Sequence, residues 1–238
     1  MHGIFVPSWG PSDWRRLLAD PSTQWVKGKS ALELAVMWES ARHGPRGLPP
    51  TVATLLDTHE LTQGSSLLVG LPELQVELPG GGHPSQNDLW ALLRVEGGVV
   101  SLAVEAKAGE PLAQLVPAWL ADASPRSGKP ERLRALSRDL ALVDPDLSKI
   151  RYQLMHRAVS ALIQAGRFHA LAAVLVVQSF GGARDDESMR DFGQFCELMG
   201  CSPARGVLRK AERATQTPLL LGWLDCEPCH EAELTNAV

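Results

Sequence analysis

The chain has 238 residues, of which 45% are hydrophobic and 21% are charged, with a formal net charge of −4. This balance is normal for a globular protein with a sizeable core, and it argues against a surface coated with DNA-binding cations. No apolar run approaches the roughly 18 residues that a membrane-spanning helix needs, so no membrane association is expected. The first residues lack the basic start and long apolar stretch of a signal peptide, which makes the cytoplasm the expected compartment.

The beginning of the chain predicts an arm followed by two helices. Residues 1–28 hold three of the seven tryptophans among prolines and glycines, which indicates an N-terminal arm packed by its aromatic side chains. Ser30 and Glu33 match a capping box, and helical spacing continues to about Arg42. In this interpretation Glu33 caps the helix and Glu39 is solvated. A second short helix is predicted over residues 51–61.

The first predicted strand covers residues 66–78. Pro72 interrupts it, which indicates a bulge or an edge position because proline cannot donate to a strand ladder. Three glycines at 80–82 then turn the chain. A glycine-rich run invites comparison with a phosphate-binding loop, but the G-K-[S/T] ending and the following helix are missing from the sequence. A flexible turn is therefore the expected role of these glycines.

A hairpin is predicted from Ser85 to Lys107. Two runs rich in β-formers flank Gly97 and Gly98, a pair typical of a two-residue turn. With that turn Asp88 faces Lys107. Any even register leaves the side chains grouped in the same way, because they alternate between faces with a period of two.

Three charged side chains of the hairpin are predicted to share one face of the sheet: Asp88, Glu105 and Lys107. The residues before Glu105 are apolar on both faces, so the strand is expected to be buried, and charges there need a partner or an ion. Carboxylate oxygens are the ligands that Mg²⁺ and Mn²⁺ favour. The plainer alternative is a solvated polar face of an amphipathic hairpin.

This arrangement resembles the metal-binding core of the PD-(D/E)XK nuclease superfamily, the restriction-endonuclease-like fold. Asp88 matches the superfamily's aspartate, and Glu105 and Lys107 match its (D/E)-x-K. Asn87 stands where the motif usually has proline. A bacterial family thought to share this fold shows a similar wider pattern, which here reads S-Q-N-D, E-A-K, R-Y-Q-L-M-H-R and V-V-Q-S-F.

The resemblance implies an α/β fold whose mixed-sheet core runs helix, antiparallel strand meander, helix, strand, flanked by helices. It also implies a Mg²⁺- or Mn²⁺-dependent nuclease in which Asp88 and Glu105 hold the metal. Lys107 would stabilise charge or orient the attacking water, and Gln153 would be supplied by the helix after the motif. Two further candidates are Glu33, from the first helix, and Gln86, which lies two residues before the aspartate and could contact substrate.

Residues 110–146 are predicted to form a helical insertion that carries a basic patch. From Arg126 to Arg138, five cations stand against one anion, Glu131. This asymmetry favours contact with nucleic acid, although a solvated helix face is the alternative. The cations of this patch are Arg126, Lys129, Arg132, Arg134 and Arg138.

The last third of the chain predicts alternating helices and strands. A helix over residues 147–165 has an apolar stripe and a polar face that carries Gln153 and either His156 or Arg157. A continuous apolar run at 170–177 is typical of a strand buried on both faces. Helices are predicted at 185–199 and 206–214, and a strand at 218–224.

All four cysteines lie near the C-terminus. The ligand types and the C-x-x-C spacing suit a zinc site that combines Cys226, Cys229 and His230 with Cys196 or Cys201. Unpaired thiols, two of them in a frayed tail over residues 225–238, are the alternative.

The sequence predicts a single nuclease-like domain over residues 1–238. Its expected activity is metal-dependent hydrolysis of phosphodiester bonds, and its expected partner is nucleic acid. Two other hypotheses stay open: a catalytically silent protein of the same fold that binds nucleic acid or a protein partner, and a zinc-stabilised interaction module. A homodimer is left open as well.

Overall fold

The computed structural model describes residues 8–121, 123–124, 127–213 and 215–229. They form a mixed α/β fold in which helices flank a six-stranded sheet. The helices are α1 (Pro21–Gln24), α2 (Ser30–Ala41), α3 (Pro50–Leu56), α4 (Val116–Leu120), α5 (Lys129–Asp139), α6 (Tyr152–Arg167) and α7 (Asp186–Leu198), with 3-10 helices at Pro11–Leu17 and Gly182–Asp185. The strands are β1 (Ser66–Val76), β2 (Ser85–Val95), β3 (Gly98–Lys107), β4 (Ala172–Ser179), β5 (Arg209–Lys210) and β6 (Leu219–Asp225).

The sheet has the strand order β1-β2-β3-β4-β6-β5. The first three strands form an antiparallel meander, whereas β3, β4 and β6 run parallel to one another. Helix α2 precedes the meander, and α6 lies on the connection that carries the chain from β3 to the parallel strand β4. The expected α/β mixed sheet flanked by helices is confirmed. The two helices α4 and α5 occupy the region in which a helical insertion was predicted.

The hairpin turn lies one residue earlier than the sequence predicts. Val95 pairs with Gly98, which leaves Glu96 and Gly97 as the two-residue loop. Gly97 adopts a φ of 82°, a left-handed conformation that glycine reaches without steric cost. The prediction that Gly97 and Gly98 form the turn is therefore wrong.

The corrected register keeps the charged side chains grouped. Leu89 pairs with Val104, so the ladder continues with Asp88 beside Glu105 rather than Lys107. Relative to the prediction, the turn begins and ends one residue earlier, so the pairing between the two strands changes by two residues in total. A change of two residues leaves each side chain on its own face of the sheet. Asp88, Glu105 and Lys107 consequently project from the same side of the sheet.

Strand β1 runs through Pro72 without ending there. Pro72 pairs with Leu89, and the irregularity of the ladder lies between Leu67 and Val69. Since β1 is at the edge of the sheet, one side of its backbone needs no strand partner, and a proline is tolerated there. The next residue, Glu73, adopts a φ of 53°, which is uncommon for a residue with a side chain.

The sheet separates two apolar layers. One layer packs α2 and α3 against one face, and it also takes in Trp14 and Trp25 of the N-terminal arm. The other packs α6 and α7 against the opposite face. All eight residues of β4 are buried, as the continuous apolar run indicated. Trp9 is 80% exposed, so only part of the aromatic arm packs as predicted.

Four helix predictions are corrected by the structure. Lys29 occupies the N-cap of α2, and Ser30 is already helical, so no capping box forms. Helix α6 begins at Tyr152 because Arg151 is extended and bridges to Leu115. Residues 206–213 form no helix, since this segment instead supplies β5 to the edge of the sheet. The helix predicted over 51–61 is shortened to α3.

Among the described residues, no helix is both long and apolar enough to cross a bilayer.

Candidate active site

A cavity of about 470 Å³ opens at the carboxyl end of strand β3. Strands β2 and β3 line it with Asp88, Glu105 and Lys107, and α6 lines it with Gln153. Residues 18–24 of the N-terminal arm and the start of α2 contribute to the opposite wall. In α/β sheets, ligands commonly bind at the carboxyl ends of parallel strands, so the position suits a functional site.

Glu105 is the most heavily engaged side chain of the cavity. Its Oε1 atom accepts hydrogen bonds of 2.7 Å from both Lys107 Nζ and Gln153 Nε2. Its Oε2 atom accepts from Arg157 Nε at 2.6 Å. The Glu105 side chain is only 2% exposed. A carboxylate this deeply buried needs such partners, because an unpaired charge in the interior is strongly unfavourable.

Arg157 also lines the cavity. The sequence predicted either Arg157 or His156 on the polar face of this helix and gave Arg157 no role in the site. Besides Glu105, its guanidinium donates to Ser85 Oγ at 3.1 Å and contacts Asp88 Oδ1 at 3.4 Å. It lies four residues after Gln153, and residues at that spacing share a face of a helix. That spacing was the signal available in the sequence.

Asp88 is held at the edge of the cavity by the backbone. Its Oδ2 atom accepts a 2.7 Å hydrogen bond from the Ala106 amide, and its side chain is 23% exposed. Burial and the neighbouring Glu105 charge raise the pKa of Asp88 to about 6, although Arg157 opposes this shift. Its Oδ1 atom, with one long contact, has lone pairs left for a ligand.

Glu73 is another carboxylate that lines the cavity, and the sequence did not predict it as a site residue. Gln86 donates to its Oε2 atom at 2.8 Å and lines the same cavity. Burial and the Asp88 charge raise the pKa of Glu73 to about 8. Glu73 was hidden because its position depends on the unusual backbone of β1, which no sequence pattern revealed.

The charges of the cavity are balanced at neutral pH. Burial raises the pKa of Glu105, but Arg157 and Lys107 outweigh it and lower the value to about 2. The pKa of Lys107 is raised by Glu105 and Asp88, which outweigh the opposing effect of burial. With Glu73 protonated, Asp88 and Glu105 therefore face the two cations Lys107 and Arg157, and a further lining pair of opposite charge, Lys29 and Glu110, lies 3.9 Å apart.

The carboxylates have the right chemistry for a hard divalent cation. Among the described residues, no three His, Cys, Asp or Glu side chains are grouped as a metal cage. Mg²⁺ is usually bound through one or two carboxylates with water and substrate phosphate, so Asp88 and Glu105 suffice as protein ligands. Arg157 touches both of them, and a cation must weaken its contacts to bind.

Glu33 lies away from this cavity. Its carboxylate is buried against the backbone amide of Cys229, which donates a 2.7 Å hydrogen bond to Oε2. Neither the capping role nor the site role predicted for Glu33 is present. The prediction for Glu39 was also wrong, because this carboxylate accepts hydrogen bonds from Trp14 Nε1 and Arg42.

The predicted basic patch divides into exposed and buried cations. Arg134 and Arg138 expose 74% and 70% of their side chains, so they suit contact with a large ligand. Arg132 is only 5% exposed and points inward, so it is no part of a surface patch. Lys129 packs over the Trp119 ring at 5.3 Å. Arg126 lies outside the described residues.

The two pairs of cysteines lie in different layers of the fold. Cys196 and Cys201 belong to the α6–α7 layer, whereas Cys226 and Cys229 pack against the α2–α3 layer. The structure therefore does not bring the first pair to the second across the sheet. His230 and residues 231–238 lie outside the described residues. The frayed tail predicted over residues 225–238 is wrong for its described part, because Asp225 ends β6 and the Cys226 amide donates a 2.7 Å hydrogen bond to the Ser179 carbonyl.

These features define a mixed α/β protein with a buried carboxylate–cation cluster at the carboxyl end of the inner strand β3. A family model described as "Domain of unknown function (DUF6946)" matches residues 7–228, and the chain belongs to that family. Comparisons with curated proteins and with solved structures give no significant match.

Proposed function

We propose that this protein is a Mg²⁺- or Mn²⁺-dependent nuclease of the PD-(D/E)XK type. The observation that carries the proposal is the convergence of Asp88, Glu105, Lys107 and Gln153 on one cavity. The order of elements adds support, since a helix, an antiparallel meander, a helix and a parallel strand is the order that the resemblance implies. Fold order alone does not define an activity, so the site residues carry more weight.

In this proposal Asp88 and Glu105 hold the metal. A divalent ion there supplies positive charge next to the substrate phosphate and lowers the pKa of bound water. Asp88 is positioned for this by its bond to the Ala106 amide, which fixes the carboxylate while leaving Oδ1 toward the cavity. Gln153 is a positioning residue, because it bonds both Glu105 and the Ala113 amide and so orients the glutamate.

Lys107 acts as a fixed positive charge in this mechanism. Its raised pKa keeps it protonated at neutral pH, which excludes general-base action by its amine there. A preorganised ammonium instead stabilises the charge that develops on the phosphate in the transition state. Deprotonation of the attacking water is then left to solvent or to the substrate phosphate.

The proposed substrate is nucleic acid. Arg134 and Arg138 expose their guanidinium groups on α5, within the region between β3 and α6. Such cations bind the phosphate backbone without regard to sequence. Because the two ionised carboxylates offset Lys107 and Arg157, the cavity without a metal has no net positive charge to hold phosphate, so substrate binding there is coupled to the metal.

A nuclease-fold protein that binds without cutting is the second candidate. It is favoured by one observation: Glu105 is already neutralised by Lys107 and Arg157, both within 2.7 Å. If Arg157 keeps its contacts, the second metal ligand is blocked. The protein would then use its exposed cations to hold nucleic acid intact.

Mn²⁺ calorimetry on three variants separates the two candidates. Asp88→Asn and Glu105→Gln each remove a proposed ligand, and Glu77→Gln removes an exposed carboxylate just after β1 as a control. A nuclease predicts Mn²⁺ binding that both ligand variants lose and Glu77→Gln keeps, together with metal-dependent cleavage of DNA or RNA. Wild-type protein that folds but binds no Mn²⁺ would favour the silent binder.

A further inference from the structure

A second pocket, separate from the carboxylate cavity, lies between the glycine-rich turn and helix α5. Its volume is about 210 Å³, and Gly82, His83, Lys129, Arg132, Trp119 and His156 are among its lining residues. A single water occupies roughly 30 Å³ of liquid, so the pocket has room for a small polyatomic ion with water.

Arg132 is the unusual feature of this pocket. Its side chain belongs to a residue that is only 5% exposed, yet Nε and Nη2 are buried and have no hydrogen-bond partner among the described residues. Only Nη1 is engaged, donating to the His83 carbonyl at 2.8 Å. A buried guanidinium with unused donors is unfavourable, and buried polar groups are normally paired. A group outside the described residues is the natural hydrogen-bond partner of these two donors.

The surroundings of Arg132 select for negative charge. The described residues that line the pocket include no carboxylate, whereas Lys129 adds a second cation beside the Trp119 ring. Burial lowers the pKa of His156 well below its ordinary value, so this ring is neutral at pH 7. The guanidinium of Arg132 therefore faces a pocket wall in which the described residues supply no carboxylate.

The backbone keeps the pocket open next to the guanidinium. A Cβ at Gly82 would lie 3.3 Å from Arg132 Nη2, so a side chain there would crowd the free donors. Gly80 packs against the first turn of α5, where a Cβ would lie 2.6 Å from the Arg132 Cα. The helix and the turn thus hold Arg132 in place, and the glycine at 82 spares its Nη2 atom a close contact with a side chain.

We propose that this pocket binds a phosphate group through the Nε and Nη2 donors of Arg132. The planar fork of a guanidinium matches two oxygens of a phosphate, and such charge-assisted bonds are among the strongest hydrogen bonds in proteins. The site requires no metal and does not depend on the nuclease activity proposed above. Its phosphate could be free or carried by a nucleotide, and these share the same chemistry.

The pocket also lies close to the carboxylate cavity through a short chain of contacts. His156 Nδ1 is 2.9 Å from Ser85 Oγ, which accepts from Arg157, which in turn contacts Glu105. A phosphate bound at Arg132 is therefore on the other side of one wall of the candidate active site.

Titration of the metal-free protein with inorganic phosphate in EDTA at constant ionic strength tests the proposal. The readout is the indole N–H signal of Trp119 in NMR spectra, assigned with Trp119→Phe. Arg132→Gln removes the donors, Arg132→Lys keeps a cation without the fork, and Arg94→Gln removes an exposed arginine of β2 as the matched control. Thermal unfolding shows which variants fold.

Saturable binding is expected for the wild type and for Arg94→Gln. Arg132→Gln is expected to weaken it at least about tenfold, as loss of charge-assisted bonds implies, and Arg132→Lys to fall between. Adenosine, AMP and a short single-stranded oligonucleotide then distinguish the source of the phosphate. No saturable shift in the wild type, or equal weakening in Arg94→Gln and folded Arg132 variants, would overturn the proposal whatever the Mn²⁺ result.

Discussion

The Nε atom of Arg157 lies 2.6 Å from Oε2 of Glu105, and both side chains are almost fully buried. This pair joins helix α6 to strand β3 beneath the candidate active site. It makes Arg157 both a structural element and a competitor for the metal, and the two roles can be measured separately.

Removing the arginine should strongly destabilise the fold. Arg157→Met leaves Glu105 with a charge in the interior that only Lys107 and Gln153 still contact. Breaking a buried ion pair in this way costs about 3–5 kcal/mol of unfolding free energy. Urea denaturation in EDTA measures it. Arg167→Met, which changes an exposed arginine at the end of the same helix, should cost less than about 1 kcal/mol.

The same pair predicts that the arginine weakens metal binding. Arg157→Gln removes the positive charge that touches Asp88 and Glu105, so Mn²⁺ no longer competes with it. We expect the Mn²⁺ affinity of the folded variant to increase, and the rise in Tm on adding Mn²⁺ to be larger than in wild type. A decrease in affinity would mean that Arg157 supports the ligands rather than competing with the metal.

The pKa of Glu73, raised from 4.5 to about 8, predicts how stability depends on pH. Between these values the folded protein keeps a proton that the unfolded chain releases, so stability falls as pH rises through this range. Glu73→Gln stays neutral and escapes that loss. Its stability relative to wild type should grow from pH 5 to pH 8, by at most about 1.4 kcal/mol per pH unit.

Chemical denaturation in EDTA at several pH values measures this difference. Glu77→Gln, an exposed site, is the control and should show little change across the range. Asp88 titrates in all three proteins, so its own raised pKa contributes to each curve. Parallel pH profiles for wild type and Glu73→Gln would show that Glu73 is ionised throughout.

The sequence revealed the part of this site that depends on strand alternation. Asp88, Glu105 and Lys107 were found although the turn was misplaced by one residue on each arm, since an even register shift preserves the faces. Gln153 followed from the resemblance, and helical spacing put either His156 or Arg157 on the same face without deciding between them. Glu73 was beyond reach, because its side chain is placed by a left-handed backbone after Pro72.

The fold was likewise predictable where the sequence carries a strong local pattern. The buried strand β4 and the meander have strong local patterns, so their existence was predicted well. The start of α6 was predicted wrongly. The spacing of Leu147 and Ile150 is typical of a helix, but the bridge between Leu115 and Arg151 keeps Arg151 extended. Such tertiary contacts override local propensity, and Glu33 shows the same effect, since its amide partner comes from the far end of the chain.

Lys107 provides a test of the proposed chemistry. Lys107→Gln removes the ammonium but keeps both carboxylates, so Mn²⁺ should still bind while cleavage slows by about 10²–10³ fold. Because Lys107 stays protonated, the pH–rate profile of the wild type should show no lysine titration between pH 6 and 9. Lys149→Gln, at an exposed lysine, should cleave at the wild-type rate. Unchanged cleavage by Lys107→Gln would contradict the assigned role.

Two neighbouring glycines give a matched test of the turn that holds Arg132. Gly80 and Gly81 have φ values of 86° and 77°, so alanine is strained at either position. A Cβ at Gly81 meets no atom within 4 Å, whereas one at Gly80 would lie 2.6 Å from the backbone of α5. Gly81→Ala should therefore cost about 1 kcal/mol, and Gly80→Ala about 1–3 kcal/mol more. Phosphate binding should survive in Gly81→Ala and weaken in Gly80→Ala, because only the second displaces Arg132. Equal stabilities would mean that the turn does not pack directly on the helix.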